Sequence, residues 1–123
     1  MRGVRSRKRP KKTRADILAD IVGHPKGAIS VEELAYMNPP LSEDSIRRHL
    51  KTLAGVGVVE ERTFDPGERE RDYPYKFYEL SEKARELFDR NGLFPPDPWQ
   101  RQYQSVEKTP RICDIEQMSR PRS

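Results

Sequence analysis

The residues best suited to chemistry gather between Ser42 and Thr52. Ser42, Ser45, Arg47, Arg48, Lys51 and Thr52 supply three hydroxyls, two guanidiniums and one ammonium group. Their chemistry is recognition rather than bond making. A guanidinium presents two parallel donors that match a guanine edge. Lysine and hydroxyl groups suit phosphate oxygens as well as bases. A second set, Arg62, Arg69, Arg71 and Lys76, flanks the sequence Asp65-Pro66-Gly67. A third, Arg5, Arg7, Lys8, Arg9, Lys11 and Lys12, lies near the start.

Catalysis and metal binding find little footing. Glu60 and Glu61 are adjacent, and adjacent side chains on a strand point to opposite faces, so the two carboxylates do not converge. Glu68-Arg69-Glu70-Arg71-Asp72 mixes signs, as a solvated loop does. His24, His49 and Cys113 lack the spacing of zinc ligands. His24 sits in a Gly-His-Pro turn and is expected at the surface. His49 flanks an apolar stripe and is expected to pack. No phosphate-loop, dinucleotide, nucleophile-elbow or zinc-protease motif occurs. The expectation is a chain that is not an enzyme, with no cofactor, metal or small-molecule ligand.

The elements that must position the basic residues follow from periodicity. Thr13 with Asp16 fits the start of a helix whose apolar face is Ile17, Leu18, Ile21 and Val22, ending at Gly23 and Pro25. Ala28-Ile29 suggests a very short strand. Ser30 and Glu33 form a capping box for a second helix, which Asn38-Pro39-Pro40 stops. Ser42 caps a third helix over 42–54. There Ile46, Leu50 and Leu53 share one face, while Asp44, Arg48 and Lys51 point opposite at about 100° per residue. Arg47, Ser45 and Thr52 lie on the flanks. Val58–Phe64 and Tyr73–Leu80 read as strands of a hairpin turning at Asp65-Pro66-Gly67. Ser81 caps a fourth helix with Ala84, Leu87 and Phe88 as its stripe. Pro95, Pro96 and Pro98 read as a stiff spacer. Trp99, Tyr103 and Val106 could line a short helix, seated either on this chain or on a partner subunit. No periodicity follows Lys108, so 109–123 is expected to be a flexible tail.

The order of elements acquires a name from one run of residues. Ser45-Ile46-Arg47-Arg48-His49-Leu50-Lys51-Thr52-Leu53-Ala54-Gly55-Val56-Gly57-Val58-Val59 resembles the recognition helix and first wing strand of ArsR-like winged helix-turn-helix regulators. Tyr78-x-Leu80-Ser81 resembles that family's return strand and final helix cap. The resemblance spans 13–92. It implies a mainly α fold with a small antiparallel β-hairpin (α+β), a recognition helix over 42–54 and a wing over 58–80. It further implies that Ser45, Arg47 and Arg48 contact bases or backbone, and that the protein is a homodimer on two-fold operators. Metal-sensing members carry paired cysteines on a helix. The four helices here have none, so thiolate sensing is not expected.

Charge supports this division of labour. Of the 24 Lys and Arg, eight fall within residues 1–14, which hold no acid; the other 16 face all 20 acidic residues, a net of −4. The basic block 1–12 is expected to be a disordered arm reaching nucleic acid. Residues 13–94 form the domain, and 95–123 the spacer, short helix and tail. With 33% hydrophobic residues the core must be thin. No segment approaches the roughly 20 apolar residues of a membrane span, and no apolar stretch follows the basic start. A lone Cys113 allows no internal disulfide. The sequence therefore leads to a cytoplasmic, nucleoid-associated regulator of transcription, a repressor that binds double-stranded DNA. Two alternatives remain open: a replication, plasmid-maintenance or RNA-binding winged helix, and a protein-interaction module.

Overall fold

The computed structural model describes residues 13–121. In chain order it contains α1 (Thr13–Gly23), β1 (Ala28–Ile29), α2 (Val31–Met37), α3 (Glu43–Gly55), β2 (Val59–Thr63), β3 (Lys76–Leu80), α4 (Glu82–Arg90), α5 (Pro96–Ser105) and α6 (Pro110–Gln117). Hydroxyl caps set four of the helix starts. The side chains of Ser30, Ser42, Ser81 and Thr109 accept from the backbone N–H of Glu33, Ser45, Ala84 and Ile112. Each such cap satisfies a donor that the helix leaves unpaired and is worth about 1 kcal/mol. At Ser30 the box closes: Glu33 Oε1 accepts from the Ser30 N–H at 3.0 Å and from its hydroxyl at 2.9 Å.

The Asn-Pro-Pro sequence ends α2 and also fastens it. The Asn38 amide donates to the Leu34 carbonyl at 2.8 Å and to Asp20 of α1 at 2.9 Å. A main core then forms where α1, α2 and α3 meet one face of the sheet. Ile17, Ile21, Ile29, Leu34, Ile46 and Leu50 are each at most 1% exposed. Burying side chains of this size contributes roughly 1.5–3 kcal/mol apiece.

The sheet is antiparallel in the order β1-β3-β2. Val59 opposes Leu80, Arg62 opposes Phe77, and Ile29 opposes Tyr78. Opposed residues share a face. Val59, Leu80 and Ile29 thus join the main core, while Phe77 and Ala28 look the other way. That second face is covered by α6, whose Ile112 and Ile115 bury against Ala28 and Phe77. The α5 helix lies along α1 at close quarters. A Cβ placed on Gly23 would stand 2.5 Å from the Trp99 carbonyl oxygen, so only glycine permits this approach.

Five sequence expectations need correction. The tail 109–123 is not featureless, because Pro110–Gln117 is helical and docked. Pro96 and Pro98 belong to the first turn of α5, where a missing N–H costs nothing, rather than to a spacer. Trp99 and Tyr103 do seat on this chain, Tyr103 being 2% exposed, but Val106 lies beyond α5 and is 37% exposed. His24 is buried at 1% exposure. Its Nε2 lies 2.6 Å from Glu33 Oε2, and its Nδ1 accepts from the Lys26 N–H at 3.0 Å. Arg120 completes this buried cluster. It donates to Glu33 at 3.3 Å and to the carbonyls of Ala28, Ile115 and Met118 at 2.9–3.0 Å. The strands are shorter than their apolar runs suggest. A tight turn places the Tyr73 N–H on the Glu70 carbonyl and holds Asp72 at φ 69°, which delays β3 to Lys76. The basic arm, with Arg5, Arg7, Lys8, Arg9, Lys11 and Lys12, lies outside the described residues.

Candidate nucleic-acid interface

The α3 helix is amphipathic, and its inner stripe fixes what its outer face offers. Ile46, Leu50 and Leu53 are buried. Arg48, Lys51 and Thr52 stand exposed on the opposite side. The Arg48 guanidinium donates to the Ser45 hydroxyl at 3.3 Å, and the Thr52 hydroxyl donates to the Arg48 carbonyl at 3.2 Å. Lys51 makes no hydrogen bond or ion pair among the described residues. It is a free cation on a rigid helix, as a phosphate contact requires.

Arg47 differs from its neighbour. It points along the flank that faces the hairpin, into a groove shared with Glu43, Lys76 and Tyr78. Glu43 holds it at 3.2 Å and Asp44 at 3.1 Å. All three side chains are at least 47% exposed, so these pairs are weak and can be exchanged. Beyond the groove, Tyr78 donates its hydroxyl to Glu61 at 2.9 Å. Burial first, then Glu61, push the phenol up to about 12. On the other flank His49 is half-buried, and its Nδ1 accepts from Arg14 Nε at 3.2 Å. Partial burial, then Arg14 and Arg48, hold the imidazole below its ordinary range, so it adds no positive charge at neutral pH.

A three-helix support, an exposed polar helix and an antiparallel hairpin beside it are now in place. Residues 11–62 match the model of a helix-turn-helix domain family. No curated protein matches the chain. Among solved structures, one described as a protein with a GntR superfamily winged-helix-turn-helix domain from Halomicrobium mukohataei is 33% identical. The similarity covers 86% of this chain and 75% of that one, with a TM-score of 0.77. The chain belongs to the winged helix-turn-helix family. The mainly α architecture with its small antiparallel sheet is that of the family, and such folds serve DNA-binding regulators, which are typically not enzymes. Among the described residues no helix is long and apolar enough to cross a membrane.

Within this winged helix, the basic residues named from sequence divide into three groups. Ser42, Ser45, Arg47, Arg48, Lys51 and Thr52 all lie on α3 or its cap, and Lys76 joins them across the groove. Ser42 spends its hydroxyl on the Ser45 N–H at 3.1 Å, so it serves the helix first. Arg69 and Arg71 belong to the wing tip. Arg69 stacks 3.8 Å over the Tyr75 ring and donates to the Phe64 carbonyl at 3.0 Å. Arg71 is exposed and makes no ion pair among the described residues. Arg62 stands apart. The register that pairs it with Phe77 turns it to the α6 side of the sheet, where Glu79 at 2.8 Å and Glu60 at 2.9 Å neutralise it. Arg14 was not among the site residues expected from sequence. Only the packing of α1 against α3, through His49, brings it beside α3.

Proposed function

We propose that this protein is a sequence-specific transcriptional regulator, acting as a repressor that occludes a promoter. Its α3 helix enters the major groove, with Arg48 and Arg47 on base edges and Lys51, Thr52 and Ser45 on bases or phosphates. Lys76, Arg69 and Arg71 of the wing, together with the basic arm, add affinity for the flanking backbone. The observation that carries this reading is the exposed face of Arg48, Lys51 and Thr52 on a helix whose opposite face is sealed into the core. The run from Ser45 to Val59 supports an ArsR-like subtype. A cytoplasmic homodimer on two-fold DNA sites is the corresponding assembly.

The test is selection of random duplex DNA by the purified chain, followed by titration of the winner against scrambled duplex at several salt concentrations. The reading requires a motif bound at least roughly a thousandfold tighter than scrambled DNA, with that margin lost in Arg48→Ala. A second reading, docking of α3 on a protein partner, draws support from the acids that clasp Arg47 and Arg62. Binding that is weak, uniform across sequences and unchanged by Arg48→Ala favours that alternative.

A further inference from the structure

A hollow of about 300 Å3 lies between the end of α1, the end of β3, α4 and the start of α5, away from α3 and the wing. Its apolar lining includes Val22, Leu80, Phe88 and Phe94. Val22, Phe88 and Phe94 remain only partly buried although they pack against the main core. The two rings lie 5.2 Å apart at their centres. Apolar surface left half covered in a recess is what an amphipathic small ligand completes.

The rim carries Lys26, Arg85 and Asp89, all exposed. Arg85 and Asp89 are one turn apart on α4, a spacing that commonly yields an ion pair. Here they form none. The Arg85 guanidinium instead reaches toward the Leu80 carbonyl at 3.5 Å, and the Lys26 and Asp89 side chains make no ion pair among the described residues. Both signs of charge are therefore unspent beside the apolar part of the lining. His24, the remaining ionisable residue of the lining, is 1% exposed, and both its ring nitrogens are engaged within the protein.

We propose that this hollow binds a free amino acid with an apolar side chain. Its carboxylate meets Arg85 and Lys26, its ammonium group meets Asp89, and its side chain covers Val22, Phe88 and Phe94. The size agrees. At about 30 Å3 per water the space corresponds to roughly ten waters, comparable to the non-hydrogen atoms of leucine or phenylalanine. A simple carboxylate would leave Asp89 opposed to it, and a simple amine would leave the two cations opposed. Only a zwitterion answers all three groups.

Trp99, the single tryptophan of the chain, is a built-in reporter, since its ring lies 6.5 Å from that of Phe94. The experiment titrates the full chain to millimolar leucine, methionine and phenylalanine, reading Trp99 emission and backbone amide shifts. The control probes are 4-methylpentanoate, isopentylamine and glycine, which lack the ammonium, the carboxylate and the apolar body in turn. We expect a saturable response to at least one apolar amino acid and at least tenfold weaker binding of every control. Arg85→Gln and Asp89→Asn, both exposed substitutions, should each weaken binding about tenfold while the amide spectrum stays folded. No saturable response to any apolar amino acid overturns the proposal. So does a response that a control shares at equal strength, or one that neither substitution weakens.

Discussion

Replacing Arg120 by methionine tests the buried cluster directly. Methionine retains much of the length and apolar bulk of the side chain but removes its charge and its fork of donors. Glu33 is then left with a side chain that is 0% exposed and no guanidinium beside it, and three carbonyls lose a charged donor. Breaking one partner from a buried pair costs about 3–5 kcal/mol. Glu33 keeps the His24 contact at 2.6 Å and two hydrogen bonds from Ser30, which places the expected loss at the lower end, about 3 kcal/mol. For a domain of this size that lowers Tm by roughly 10 °C. Urea unfolding followed by Trp99 emission measures it. Burial alone would raise the Glu33 carboxyl; the His24 hydrogen bond first, and then the Arg120 charge and the Ser30 hydrogen bond, outweigh burial and hold it below the ordinary carboxylate range. A depressed carboxyl contributes stability above its unfolded pKa and loses it as pH falls through the folded value. Arg120→Met should therefore also shift acid unfolding to higher pH. In the Glu33→Gln background the methionine substitution should cost at least about 1 kcal/mol less. A loss under about 1 kcal/mol, or a loss that Glu33→Gln does not reduce, refutes this account.

Three further outcomes follow from the geometry. Gly23→Ala forces a Cβ onto the Trp99 carbonyl and should cost about 1–3 kcal/mol, seen as a lower urea midpoint; an unchanged midpoint would mean that α5 moves away freely. Asp20 is pushed up to about 7, by burial first, against the lowering effect of the Asn38 hydrogen bond. The folded chain thus holds this proton more tightly than the unfolded one, and its contribution to stability falls as pH rises from about 4 to about 7. Asp20→Asn should flatten that fall in chemical unfolding at several pH values, and an unaltered pH profile would contradict it. Glu43→Gln with Asp44→Asn frees Arg47 and removes two negative charges from the first turn of the helix proposed to face DNA, so affinity for duplex DNA in a salt titration should rise at least about fivefold; an equal or weaker affinity would argue that the acids position Arg47 productively.

Local signals made some features legible and tertiary ones hid the rest. The α3 helix declared itself because Ser42 caps it and Ile46, Leu50 and Leu53 repeat at helical spacing within one window. The hairpin declared itself through Asp65-Pro66-Gly67 between apolar runs. By contrast, Ile112 and Ile115 are only two apolar residues in a polar segment, and their meaning comes from Ala28 and Phe77, distant in sequence. Gly-His-Pro reads as a surface turn until Glu33 and Arg120, nine and 96 residues away from His24, are seen beside it. The usefulness of Arg62 depended on strand register, since a shift of one residue would have turned it to the other face.

The clasp on Glu33 also gives the fold a time order. Arg120 follows Glu33 by 87 residues. At about 5–20 residues per second, a nascent chain waits roughly 4–17 s between making the carboxylate and making its cation. Throughout that interval the residues of α1, α2 and α3 are already made, while any closing of His24 and Glu33 lacks the guanidinium and bears the cost expected of Arg120→Met. The basic surface can thus be displayed before the body behind it is locked. A translation pause shortly before the Arg120 codon would prolong a state that carries α3 on an unlatched scaffold.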